Sequence, residues 1–72
     1  MMQVAIHYKG GMYEIIGHGR EEATRAPVVI YKHRDNQTMD DLYTRPLVEF
    51  YGHVTLANGE TVPRFRILNP EG

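Results

Sequence analysis

Leu42-Tyr43-Thr44-Arg45-Pro46-Leu47-Val48-Glu49-Phe50 holds a strand, a strand breaker and a helical turn in one short stretch. Leu42 to Thr44 reads as extended. Pro46 has no amide hydrogen and is barred from a central strand, but its fixed φ suits the first position of a helix. Leu47 and Phe50 stand three apart, so they share one face of a single turn over about residues 46–50. Leu42, Leu47 and Phe50 are therefore assigned to the core and Glu49 to solvent. Arg45 is fixed between strand and turn. Two roles suit it: a clamp on a ligand, or a cap on the chain's own carbonyls and acidic loop.

Working outward, Gly10-Gly11 separates two strand-like runs, Val4 to Lys9 and Met12 to His18. A two-residue Gly-Gly loop pairs Lys9 with Met12, Tyr8 with Tyr13, His7 with Glu14 and Ile6 with Ile15. In that register Val4, Ile6, Tyr8, Tyr13 and Ile15 share an apolar face, and His7 meets Glu14 as a cross-strand ion pair. Asn58-Gly59 predicts a second hairpin through a type I′ turn, pairing Leu56 with Thr61, Val54 with Pro63 and His53 with Arg64. Val54, Leu56, Phe65 and Ile67 then line the core, and Arg64 and Arg66 project together from the other face. Pro63 requires an edge, a bulge or a bend.

Between the hairpins, Pro27-Val28-Val29-Ile30-Tyr31-Lys32 is a β-branched run that reads as a central strand, and Asp35 to Asp41 as a polar loop. The expected architecture is all-β, a single domain over residues 1–72. It is a small SH3-like barrel or a strongly bent antiparallel sheet with one short helical turn.

Composition bounds what such a domain does. A chain of 72 residues buries a marginal fraction of its surface, and with no cysteine it has no disulfide or thiolate zinc staple. Self-association is therefore expected. Eight Lys and Arg against nine Asp and Glu give a net charge of −1, which argues against affinity drawn mainly from a nucleic-acid backbone. The chain carries neither a signal-type N-terminus nor an apolar run long enough to span a membrane, so a cytoplasmic protein is expected.

His7, His18, His33 and His53 lack the short spacings of metal ligands, and neither a metal nor a cofactor is expected. With no serine and no cysteine, the chain offers no activated nucleophile. A hydrolase-type enzyme using His7 and Glu14 is the least favoured reading. Five tyrosines and two phenylalanines lie among the arginines, and guanidinium planes beside aromatic rings suit stacking and the binding of phosphate or carboxylate. The expectation is a non-enzymatic binding module for an anionic small molecule such as a nucleotide, or for a protein partner at a sheet edge. Single-stranded nucleic acid is the alternative. Each such residue also has an ordinary role: Tyr8, Tyr13 and Tyr31 in packing, Arg64 and Arg66 on a solvated strand face.

Four motifs in order carry a family resemblance: His7-Tyr8-Lys9-Gly10-Gly11-Met12-Tyr13-Glu14-Ile15-Ile16-Gly17, Val29-Ile30-Tyr31-Lys32, Arg45-Pro46-Leu47-Val48-Glu49-Phe50 and Val62-Pro63-Arg64-Phe65. Over residues 5 to 67 the chain resembles the small bacterial and phage family called domain of unknown function 1653. The resemblance implies a short single-domain protein of bacterial or phage origin and brings no established activity. Lys9, Tyr31, Arg45 and Arg64 match its pattern. Ala5 stands where the family usually has tyrosine, Glu21 where it has histidine, Asp35 where it has tyrosine and Tyr43 where it has tryptophan. Arg45, Tyr43, Tyr31, Lys9 and Arg64 are the candidate ligand-binding residues.

Overall fold

The computed structural model describes residues 3–68. In chain order they form β1 (Gln3–His7), β2 (Met12–Arg20), β3 (Pro27–His33), β4 (Tyr43–Pro46), α1 (Leu47–Phe50), β5 (His53–Thr55), β6 (Thr61–Pro63) and β7 (Phe65–Leu68). Five strands make one antiparallel sheet in the order β4-β3-β2-β1-β7, and β5 and β6 form a separate ribbon. The fold is all-β. The sheet is open, so of the two expected architectures it is the bent sheet and not the closed barrel that forms. Pro63 offers no amide hydrogen and Arg64 interrupts the strand, so the ribbon's ladder does not run on into β7.

The β-branched run becomes an interior strand, as its composition predicts. β3 lies between β2 and β4, and Val28, Val29 and Tyr31 are buried. Pro46 falls one position earlier than expected. Its φ of −51° suits a helix, but its ψ of 137° is extended, so it ends β4 and caps α1 from outside. Leu47 packs against the core and Phe50 is fully buried, whereas Leu42, assigned to the core from sequence, is exposed.

Both hairpins depart from their expected registers for the same reason. Ile6 faces Met12, Ala5 faces Tyr13 and Gln3 faces Ile15. The loop holds Tyr8, Lys9 and Gly10, closed by Gly10 N–H donating to the His7 carbonyl at 2.8 Å and by His7 N–H donating to the Gly11 carbonyl at 3.1 Å. Gly10 has φ of +98°, the left-handed position of a three-residue loop. In the ribbon, Val54 faces Val62 and Thr55 faces Thr61, and Gly59, with φ of +90°, takes the same position after Ala57 and Asn58. Two consecutive turn residues that tolerate positive φ fit either loop length. The three-residue form was adopted twice.

The displacement turns β1 over. Ala5 and His7 lie on the face of Tyr13, Ile15, Tyr31 and Phe65, and Val4 and Ile6 lie on the opposite face. The core therefore centres on Ala5, Val29, Tyr31, Phe50 and Phe65, with Tyr13, Ile15, Leu47 and Ile67 packed around them. A bulge between Ile15 and Gly17 keeps His18 on this face, where its Nε2 meets the Tyr51 hydroxyl at 3.3 Å.

Candidate functional site

β4 hands two candidate residues to one face. Tyr43 lies opposite Tyr31 and Arg45 opposite Val29, so Tyr43, Arg45 and Tyr31 share the aromatic side of the sheet. The ring centroids of Tyr31 and Tyr43 are 5.6 Å apart. His33 meets Tyr43 edge-on at 5.5 Å and stacks on Tyr13 at 4.6 Å, which extends the aromatic surface toward β2. Tyr43 is 42% exposed and offers part of its ring to solvent.

Arg64 arrives from the other end of the chain. Its N–H donates to the Gly52 carbonyl at 2.9 Å and its carbonyl accepts from Tyr8 N–H at 3.0 Å, which fixes the break between β6 and β7 against both α1 and the first hairpin loop. Arg64 and Arg66 do not project together. Arg66 lies opposite Ile6 on the far face, whereas Arg64 is half-buried and acts on His7 together with Arg45 and Lys9. The sequence-based pairing of the two arginines fails because Arg64 lies outside the regular strand and its side chain does not follow the alternation.

His7 is the residue that sequence reasoning placed wrongly. The expected pair with Glu14 is absent: Glu14 lies on the opposite face, 3.9 Å from Lys32 Nζ, so the two also cannot work together as an acid and base. His7 instead lies edge-on to Phe65 with centroids 5.0 Å apart, and its Nδ1 accepts the Lys9 N–H at 3.1 Å. Burial, then the positive charges of Arg45, Arg64 and Lys9, hold its pKa below the ordinary 6.5. A three-residue reading of the Gly10-Gly11 loop would have found it.

Arg45 is kept charged. Interaction with the Tyr31 hydroxyl, and secondarily with Glu49, raises its pKa. Its Nη1 donates to Glu49 Oε1 at 3.3 Å, one turn ahead on α1, so Glu49 is exposed but not idle. The second role suggested by the sequence, a cap on the chain's carbonyls and acidic loop, is not the contact seen: the partner of Arg45 is the Glu49 carboxylate. That loop is held elsewhere, with Lys32 Nζ donating to the Thr38 carbonyl at 2.8 Å and Asn36 Nδ2 to the Asp40 carbonyl at 2.8 Å. Arg45 Nε and Arg64 Nε are both buried without a hydrogen-bond partner among the described residues. A buried donor left open costs about 1–3 kcal/mol, so each of these arginines is suited to an acceptor.

Of the five candidates, Arg45, Tyr43 and Tyr31 form one group, and Arg64 is held apart from it by its backbone bonds to Gly52 and Tyr8. Lys9 stands at the margin on the hairpin loop, its Nζ 5.7 Å from the Tyr8 ring centroid. Two open clefts are present, and neither is lined by any of the five candidates. One of about 480 Å³ is bordered by His7, Tyr8, Leu56, Val62, Pro63 and Arg66. The other, of about 410 Å³, is bordered by Gly11, Met12, His33, Arg34 and Asp35. No group of three or more histidine, cysteine or acidic side chains able to hold a metal occurs among the described residues. Nor is any helix there long and apolar enough to cross a membrane.

No curated protein and no solved structure is significantly similar to the chain. A family model described as a protein of unknown function, DUF1653, matches residues 5–67. That span includes every candidate residue, and the chain belongs to the DUF1653 family.

Proposed function

We propose that the chain is a cytoplasmic, non-enzymatic binding module for an anionic small molecule such as a nucleotide, held by Arg45 and Arg64 beside the Tyr31–Tyr43 surface. The observation that supports this reading is the pair of buried Nε–H donors without acceptors. A phosphate or carboxylate oxygen would satisfy such a donor, and charge-assisted bonds of this kind are about twice as strong as neutral ones. Tyr43 lies within stacking distance of Tyr31 and supplies an aromatic edge for a planar ring attached to the anion.

The test is a thermal-shift panel of nucleotides read against inorganic phosphate and sulfate. A ligand at one hundred times its Kd adds about 2.7 kcal/mol to stability, an easily measured rise in Tm. At least one nucleotide should exceed the inorganic anions, and Arg45→Ala should abolish the gain while its circular dichroism stays native. A panel with no gain over phosphate defeats the reading.

A protein partner is the second reading, supported by the two sheet edges at β4 and β7, each paired on one side only among the described residues. Self-association would use the same edges. Sedimentation velocity separates these cases from small-molecule binding: an edge-paired dimer should dissociate when proline replaces Ile67, whose N–H points away from β1, and nucleotide binding at Arg45 should not respond.

A further inference from the structure

The two edges of the sheet are not equally open. Tyr8 N–H donates to the Arg64 carbonyl, so in the β1–β7 register Arg66 and Leu68 turn their backbone groups toward β1, while Phe65 and Ile67 turn theirs outward. Both outward residues keep an amide hydrogen. At β4 the alternation runs differently: Glu21 N–H donates to the Ala26 carbonyl, which turns Ala26 and Val28 toward β2 and Val29 toward β4. Arg45, opposite Val29, therefore bonds inward, and the outward residues of β4 are Thr44 and Pro46. Pro46 has no hydrogen to give, and an edge carrying proline is guarded against pairing. β7 is the edge left open to another strand.

The cleft of about 480 Å³ is bordered by both the first hairpin and the ribbon. Ile6, Leu56, Val62 and Pro63 give it an apolar lining, and Arg66, exposed and opposite Ile6, belongs to the cleft and to the edge strand alike. Lys9 adds a second cation, its Nζ 5.7 Å from the centroid of the Tyr8 ring, which also lines the cleft. No carboxylate borders the cleft, and neither Arg66 nor Lys9 is in an ion pair among the described residues. A second copy of this chain does not suit that charge. The two-fold pairing in which Phe65 and Ile67 bond each other across the copies sets two copies of Arg66 directly opposite, and like charges so placed are destabilising.

We propose that β7 takes up an extended acidic segment of another protein as an added antiparallel strand, with a carboxylate opposite Arg66 and an apolar side chain in the cleft. This rests on the reading of a sheet edge as a partner surface. The residues before and after the acidic one meet Ile67 and Phe65 through their N–H and C=O groups, and these backbone bonds supply affinity for any extended chain. Side chains supply the choice. Alternation puts the acidic residue and those two positions before and after it on the Arg66 face. The later of these lies where the strand runs back toward Pro63, at the cleft. The segment recognised is therefore apolar-x-acidic-x-apolar, its charge read by Arg66 and its last side chain by Leu56, Val62 and Pro63.

The experiment is an NMR titration of the protein's amides with capped pentapeptides: Val-Thr-Glu-Thr-Leu, the same peptide with lysine for glutamate, and the glutamate peptide N-methylated on both threonines or on glutamate alone. The glutamate peptide should bind about tenfold more tightly than the lysine peptide. It should move the Phe65 and Ile67 amides further than the Arg66 amide, which is already turned to β1. Methylation of both threonines, whose amides face β7, should abolish binding, and methylation of glutamate, whose amide faces solvent, should not. Arg66→Glu should reverse the preference between the glutamate and lysine peptides. Equal binding of those two by the wild-type chain overturns the acidic segment and leaves the partner edge standing. Full binding of the peptide methylated on both threonines overturns strand addition. If no peptide moves Phe65 or Ile67 and the chain forms a dimer that Ile67→Pro dissociates, the edge belongs to a second copy: the acidic segment falls and the partner reading stands. If no peptide binds and the chain is a monomer, both fall. The peptide comparisons use the wild-type chain, so failure of a variant to fold does not decide the outcome.

Discussion

Phe50 of α1 and Phe65 of β7 stack face to face, with ring centroids 4.1 Å apart and planes 13° from parallel. Tyr31 meets both edge-on, at 5.1 and 5.5 Å. The stack joins the two segments that carry the arginines: Arg64 immediately precedes Phe65, and Arg45 and Pro46 lead directly into α1. Core packing and the geometry of the candidate site are therefore one problem. Whatever loosens this stack also loosens the spacing of the guanidinium groups.

Phe50→Ala should unfold the protein at room temperature. Phe50 is 0% exposed, and truncating a buried phenylalanine costs about 3–5 kcal/mol, as much as the core of a domain this small supplies. Phe50→Leu keeps most of the volume and should cost about 1–2 kcal/mol while leaving a cooperative transition. Urea denaturation measures both. An alanine variant within about 1 kcal/mol of wild type would show that the stack is not central to stability.

Gly52→Ala should destabilise although Gly52 requires no unusual backbone angle. A Cβ there would lie 2.6 Å from the Val48 carbonyl oxygen, too close without movement of α1. Gly52 N–H closes the helical turn on the Glu49 carbonyl at 3.1 Å, and the Gly52 carbonyl accepts Arg64 N–H, so the strain passes into the site. The expected loss is about 1–3 kcal/mol, with weaker anion binding in whatever remains folded. Gly17→Ala is the control, since a Cβ there meets nothing within 4 Å. Equal thermal stability of the two variants would reject the steric account.

On the opposite face, Lys32 is 7% exposed, with its ammonium 3.9 Å from Glu14 and donating to the Thr38 carbonyl. Lys32→Ala leaves the Thr38 carbonyl without its donor and Glu14 without its counter-charge, and should cost about 1–3 kcal/mol. Lys32→Met with Glu14→Gln removes the charges together and refills the volume, so it should recover most of the loss. A double-mutant cycle by chemical denaturation gives the coupling. Additive effects would show that the two side chains stabilise the fold independently.

The parts of this fold legible in the sequence are those fixed by covalent chemistry or by a run of like residues. Pro46 and Pro63 ended their strands because each lacks an amide hydrogen, and Val28, Val29 and Tyr31 marked an interior strand. Arg45, Tyr43 and Tyr31 followed, since their common face depends only on β3 pairing with β4. The hairpin registers were not legible. Gly10-Gly11 and Asn58-Gly59 each fit two loop lengths, and a shift by an odd number of residues exchanges the faces. What selects between them is long-range packing, with Ala5 fully buried among Val29, Tyr31 and Phe65. The face of His7 depends on that choice, whereas Arg64 was hidden because it sits in the break between β6 and β7 and follows no strand alternation.

The same His7 should impose a pH dependence on the stability of the free protein. Its folded pKa lies below the ordinary 6.5, through burial first and then Arg45, Arg64 and Lys9. Between the lowered value and 6.5 the unfolded chain binds more of the proton than the folded one does, so stability rises with pH across that window. Above it the His7 contribution is complete. Below it the penalty of charging a ring among three cations is fully present. His7→Gln keeps a polar side chain without titrating, so its stability should rise less steeply with pH than that of wild type. His18, His33 and His53 remain in both proteins and cancel in the comparison. Urea midpoints at several values between pH 5 and 8 measure the difference. Identical slopes for wild type and His7→Gln would mean that the cations do not act on this ring.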